Sequence, residues 1–246
     1  MVRIPPPSSA GTPSRPSSAS ATSAQGSPNA TSSAKTTEVA AQTPSLLDDP
    51  WVRRFGPSIA LAVITFIFLY PAIKAAFTWD DDVWIWQNAI LRMPDGFFRA
   101  WTDFAGKLTP HYYPMVYATW WLEARFFGIN PVVFHFDNLL LHIGSVLILF
   151  HLLRRLKLPG GATGAWLAAA IYGVHPINVE SVAWAVERKN TLAGIFFFAA
   201  LYVGLKFFGV FAARDADTKG AAPEKAQPAW NWEQYAALIF LFALAL

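Results

Sequence analysis

Long apolar runs separated by short polar stretches make up most of this chain. The clearest cover residues 57–77, 134–153 and 190–211, each near the length of about 20 residues that a helix needs to cross hydrocarbon. A shorter run, 162–176, closes at His175-Pro176, and a fifth starts at residue 232 and is still apolar at Leu246. A natural chain rarely leaves its last carbonyls in lipid, so a fragment of a longer protein is expected, with its C-terminal part missing. The pattern predicts an all-α, polytopic helical membrane protein. Residues 112–127 are also apolar and aromatic, but they contain Glu123 and Arg125 and run into Gly128 and Pro131. That stretch is predicted to lie in the interface, within an outer loop 78–133 that carries interfacial helices. Six of the eleven tryptophans fall between Trp79 and Trp121, as an interfacial belt would place them.

Residues 1–48 break the pattern. They are rich in Ser, Ala, Thr and Pro and bury too little apolar surface to offset chain entropy, which predicts a disordered tail. The start, Met1-Val2-Arg3-Ile4-Pro5, lacks the apolar core of a signal peptide, and the sequon Asn29-Ala30-Thr31 reads as chance. Residues 49–246 are expected to form one transmembrane domain.

Composition sharpens this picture. Of the 246 residues, 54% are hydrophobic and 14% charged, against about 25% charged in soluble domains. The net charge of +3 is too small to argue for nucleic acid, and the lack of cysteine excludes disulfides, thiolate metal sites and a Cys nucleophile. The cations fix a direction instead. Arg53 and Arg54, then Arg154, Arg155 and Lys157, then Arg214, Lys219 and Lys225 flank the runs at alternate ends. The positive-inside rule puts all three groups, and the N-terminus, in the cytoplasm. The acidic run Asp80-Asp81-Asp82 then lies outside, in a plasma (inner) membrane.

Two polar strings carry candidate chemistry on that outer side. Asp80 and Asp81 follow the first run directly; a carboxylate there serves as a general base or as a ligand of a divalent metal, with no cofactor otherwise implied. Asp82 reads as a solvated neighbour. In His175-Pro176-Ile177-Asn178-Val179-Glu180-Ser181-Val182-Ala183-Trp184-Ala185-Val186-Glu187-Arg188-Lys189-Asn190, two cations sit on the side where cations are disfavoured. Arg188 and Lys189 open a helix, where a phosphate is well held; Glu180 and Glu187 are acidic partners in the same string. His135, Asn138 and His142 share one helical face, predicted to make hydrogen bonds between helices. No P-loop, GxGxxG or Ser-centred elbow is present.

Phe77-Thr78-Trp79-Asp80-Asp81, Pro114, Phe127-Gly128-Ile129-Asn130-Pro131, His135, Asn138-Leu139-Leu140-Leu141-His142 and the string ending Glu187-Arg188-Lys189-Asn190 occur in an order that resembles the membrane half of the bacterial TMTC-like family, the transmembrane and tetratricopeptide-repeat-containing proteins. These are similar to protein O-mannosyltransferases of the GT-C class. The resemblance covers roughly residues 51–211. It implies a GT-C-like bundle that takes sugar from a polyprenyl-phosphate carrier on the outer face of the membrane. On that pattern Asp80 or Asp81 is the catalytic base, Arg188 or Lys189 holds the lipid phosphate, and Glu180 orients a basic group. Relatives of this kind carry Arg or His before the proline at 114; Tyr113 stands here, and His111 lies two residues earlier as a replacement.

The expected function is therefore glycosyl transfer to a hydroxyl of a protein or glycan acceptor, with the lipid bilayer and a polyprenyl-phosphate-linked sugar as partners. The alternatives are a membrane scaffold whose missing repeats recruit partners, and a polyprenyl-lipid transporter. A transporter places ionisable residues near mid-membrane, whereas Asp80, Glu180 and Arg188 fall at the ends of runs.

Overall fold

The computed structural model describes residues 49–109, 111–220 and 231–245. The expected disordered tail, the sequon, Lys225 and Leu246 lie outside the described residues. All the described residues belong to one compact unit, Pro44–Leu246.

Among the described residues the fold is all-α, with nine α-helices and no strand. Helix α1 (Pro50–Ile73) opens at Asp49, whose carboxylate accepts the Trp51 N–H at 2.7 Å, and at Pro50, whose missing N–H has no partner to lose there. The same device opens α4 (Pro131–Leu156): the Asn130 side chain accepts the Val132 N–H at 3.0 Å, and Pro131 follows. Lys157 ends α4 in the left-handed region at φ +47°. Between these helices lie a π-helical turn (Asp82–Trp86), α2 (Gly96–Thr102) and α3 (Pro114–Phe127). Then come α5 (Gly161–Val174), α6 (Ile177–Ala183), a 3-10 turn (Ala185–Glu187), α7 (Arg188–Phe207), α8 (Val210–Thr218) and α9 (Trp232–Ala245).

Three segments, Pro50–Ile73, Pro131–Leu156 and Ala185–Phe207, are long and apolar enough to cross a membrane, and they make this a membrane protein. Their lengths of 24, 26 and 23 residues correspond to about 35 to 39 Å, past the roughly 30 Å of hydrocarbon. Helices α5 and α9, expected as spans, have 14 residues each and extend about 21 Å. The expected fourth run, 190–211, ends earlier, at Phe207; Gly209 turns the chain at φ +70° and α8 begins separately. On α1, Ile67 and Phe68 are 62% and 66% exposed, a face that water would reject and lipid accepts.

Helix α4 is central and packs on α1, α5 and α7, while α9 packs on α7. Close approach is built in at Gly173, where an added Cβ would stand 2.6 Å from the Thr65 hydroxyl and press on Val146. Leu61, Val146, Phe150 and Ala169 fill this part of the bundle. A second core holds the other end, where Ile85, Ile90, Tyr117, Trp120, Phe134 and Ala185 join the 78–130 region to the start of α7.

Candidate functional site

The turn after α1 sets the site. Trp79 adopts φ +50°, a conformation that costs a non-glycine residue about 1 to 2 kcal/mol. Its ring packs edge-on against Trp184 at 4.8 Å. Asp81 closes the turn from within: its carboxylate accepts the Thr78 N–H at 3.0 Å and the Val186 N–H at 2.9 Å, and it is fully buried. Burial pushes this carboxyl above its ordinary value, and the N–H groups of Thr78, Val186 and Ala185 pull it back. Asp80, one residue earlier, is exposed and faces a cleft of about 140 Å³.

That cleft brings four of the sequence-predicted site residues together: Asp80, His111, Glu187 and Lys189. The Lys189 ammonium is paired with one oxygen of Glu187, and the Asn190 amide donates to the other. His111 stacks on Trp84 with ring centroids 5.1 Å apart. It arrives on a loop tied down by Asp103, which accepts the N–H groups of Lys107, Leu108 and Thr109 at 3.0, 2.8 and 2.9 Å, and the Thr109 hydroxyl at 3.1 Å. Desolvation pushes the Asp103 carboxyl up, yet these four bonds outweigh it and hold the carboxyl below its ordinary value.

Asp81, Glu180 and Arg188 do not line the cleft. Glu180 is exposed on α6. Arg188, expected at a phosphate, is fully buried, and each of its three nitrogens has a partner. Nε donates to the Asn138 carbonyl oxygen at 2.8 Å, Nη2 donates to the Phe134 backbone oxygen at 2.9 Å, and Nη1 pairs with Glu123. Asp137 lies 3.5 Å from the same Nη1. Burial pushes the Glu123 carboxyl upward, against the pull of Arg188. A guanidinium suits such a site because its planar fork satisfies several acceptors at once. Asn138 also donates to the Trp184 carbonyl at 3.2 Å, and a His142 ring nitrogen lies 3.0 Å from the Gly173 carbonyl. His135 is buried against Phe77. This knot joins α3, α4 and α7 at the wall of the cleft.

Sequence reasoning missed the aromatic lining. Trp84, Tyr117, Trp120 and Trp184 all border the cleft. The Tyr117 hydroxyl and the indole N–H groups of Trp120 and Trp184 are buried without a hydrogen-bond partner among the described residues. Buried donors are normally satisfied; these three belong to side chains that border the cleft, but the donor atoms themselves are closed off from solvent. Burial pushes the Tyr117 phenol upward, so it is a donor and not a base. The tryptophan clustering was the available signal, but a belt and a cleft lining look alike in sequence.

A second, apolar groove of about 390 Å³ adjoins the cleft and shares Tyr113, Val116 and Lys189 with it. Met115, Leu192, Ala193 and the end of α9 form its walls. Among the described residues no group of three or more His, Asp or Glu side chains is arranged to hold a metal ion. Both oxygens of Glu187 are already engaged, which leaves Asp80 as the free carboxylate of the cleft among the described residues.

No family model matches the chain, and no solved structure matches it. It is similar to human "Protein O-mannosyl-transferase TMTC1", 34% identical over 135 residues, covering 49% of this chain and 14% of that protein. It is 32% identical to human "Protein O-mannosyl-transferase TMTC4" over 199 residues, 72% of this chain and 25% of the relative. A Caenorhabditis elegans protein named "Protein O-mannosyl-transferase F38B6.6" is 26% identical over 156 residues, 60% of this chain and 22% of its own length. The chain spans a quarter or less of the length of each of these relatives.

Proposed function

We propose that this chain carries the reaction cleft of a membrane glycosyltransferase of the GT-C type. In this reading it moves a sugar from a polyprenyl-phosphate carrier to a hydroxyl on a protein or glycan acceptor, at the outer face of a plasma membrane. The observation that carries the reading is the shared position of Lys189. It stands where an aromatic-lined cleft bearing Asp80, the free carboxylate of that cleft among the described residues, meets an apolar groove. A lipid-phosphate sugar needs a base, a cation and an apolar channel side by side. The relatives named as O-mannosyltransferases support a hexose as the sugar.

The chemistry divides among few groups. Asp80 accepts the proton of the acceptor hydroxyl as its oxygen attacks the anomeric carbon. The bond from that carbon to the phosphate oxygen breaks, and the electron pair leaves with the lipid phosphate. Lys189 supplies positive charge where the leaving phosphate gains negative charge; the clamp expected of Arg188 or Lys189 thus falls to Lys189. Asp81 and Arg188 act as positioning residues, fixing the Asp80 turn and the start of α7. Trp84, Tyr117, Trp120 and Trp184 give the sugar an aromatic wall. His111, held by Trp84, flanks the leaving group. No step runs through a metal ion.

The test is incubation of the full-length protein with polyprenyl-phosphate sugars, followed by mass spectrometry of candidate acceptors. Transfer by the native protein and none by Asp80→Asn is the expected result. Undiminished transfer by Asp80→Asn overturns the base assignment. Absence of transfer from every lipid-phosphate sugar overturns the donor class.

A further inference from the structure

At the end of the bundle away from Asp80, the start of α1, the end of α4 and the start of α5 enclose a groove of about 640 Å³. Its floor is made of small residues, Gly56, Ala60 and Ala162, and its wall is Trp166, whose indole N–H donates to the Pro57 carbonyl at 2.9 Å. Two arginines, Arg53 and Arg154, stand at its mouth. Neither joins an ion pair among the described residues. Beside Arg154, Arg155 and Lys157 are paired with Asp215 of α8, whereas Arg54 lies over the Phe55 ring away from the groove lining. The Arg154 guanidinium lies 5.4 Å from the Phe150 ring, which keeps it over the groove.

We propose that this groove binds one anionic glycerophospholipid, with the headgroup phosphate between Arg53 and Arg154 and an acyl chain along the Gly56–Ala60 side of α1. Guanidinium groups take phosphate oxygens in a bidentate fork. Basic pockets between membrane helices select anionic headgroups for the same reason. The apolar floor excludes a free phosphate as the full occupant, since it leaves the small-residue channel empty. The chain's own residues 1–48 are a poor match in charge, with Arg3, Arg15 and Lys35 against Glu38 and Asp48. The proposal depends on the long helices being spans and not on the sugar-transfer reading. The lipid would fix α1 against α4 and α5 from the end opposite the cleft.

Native mass spectrometry of the purified protein in detergent, given equimolar phosphatidylglycerol and phosphatidylcholine with identical acyl chains, tests it. The native protein should retain phosphatidylglycerol preferentially. Arg53→Gln with Arg154→Gln should cut that preference on the order of tenfold. Arg54→Gln with Lys219→Gln removes the same charge outside the groove and should change it less than about twofold. Gly56→Phe should lower retention of both lipids without changing charge. Circular dichroism confirms that each variant keeps its helices. Equal retention of the two lipids by the native protein overturns the proposal. So does an unchanged preference in the groove double variant, or an equal loss in both double variants.

Discussion

Two regions only a residue apart in sequence behave as opposites. Asp80 and Lys189 face an open cleft, while their chain neighbours Asp81 and Arg188 are fully buried in a polar knot behind its wall. The knot bridges distant segments: Asp81 reaches the Val186 N–H, 105 residues away, and Arg188 ties α7 to Glu123 of α3 and Asn138 of α4. In the cleft the ties are short-range: Lys189 and Asn190 hold Glu187, and His111 rests on Trp84. A buried carboxylate or guanidinium is costly unless its lone pairs and protons are used; all three Arg188 nitrogens have partners, while Glu123 Oε2 has none among the described residues. Groups left outside it keep their charge accessible. The lesson is a division of labour, in which one member of each charged pair builds the wall and the other works beside it.

The sharpest way to break the comparison is Asp80→Asn. Transfer should fall by about 10² to 10⁴-fold while the melting temperature in detergent stays unchanged. A matched loss of stability would place Asp80 in the knot instead. Arg188→Leu should do the reverse, lowering stability by about 3 to 5 kcal/mol because Glu123, Asn138 and the Phe134 carbonyl lose their buried partner. Adding Glu123→Gln should recover much of that loss in a denaturation series, whereas a pure phosphate ligand would show neither effect. Asp81→Asn should cost about 1 to 3 kcal/mol, since the amide oxygen can serve one of the two backbone donors well and the amide nitrogen is buried without a partner. Lys189→Gln should raise the KM for a lipid-phosphate donor about tenfold, the value of one hydrogen bond to a charged group, with the fold intact.

The smallest effect concerns pH and the loop that carries His111. Hydrogen bonding holds the Asp103 carboxyl below its ordinary value of 3.8. A depressed folded-state value means the stabilisation is fully present above 3.8 and is lost as pH falls through the lower value. Amide exchange at Lys107, Leu108 and Thr109 should accelerate only on strong acidification. Asp103→Asn should speed it at neutral pH and flatten the acid response.

Much of the fold was legible because it depends on local properties. Runs of apolar residues can be read from neighbours in sequence, and they locate α1 and α4, although these helices cover Pro50–Ile73 and Pro131–Leu156 where 57–77 and 134–153 were expected. Lengths were less legible. The expected run 190–211 stops at Phe207 because Gly209 turns the chain, whereas α5 and α9 lie close to the expected 162–176 and 232–246. The site was half legible. Composition and charge identified two acidic neighbours and two basic neighbours, but nothing local distinguishes Asp80 from Asp81 or Lys189 from Arg188. Burial of one and not the other is decided by partners fifty or more residues away. The donors of Tyr117, Trp120 and Trp184 were hidden for the same reason.

The sequence by itself determined that this is a helical membrane protein, which ends of its helices carry the cations, and that acidic and basic pairs flank the apolar runs. Those properties follow from hydropathy and charge along the chain, which need no contacts to exist. Only the tertiary structure decided which carboxylate stays free, which cation closes the wall, and that cleft and apolar groove meet at Lys189. Those outcomes come from the packing of α3, α4 and α7, because desolvation and hydrogen-bond satisfaction are properties of a place in the fold and not of a residue.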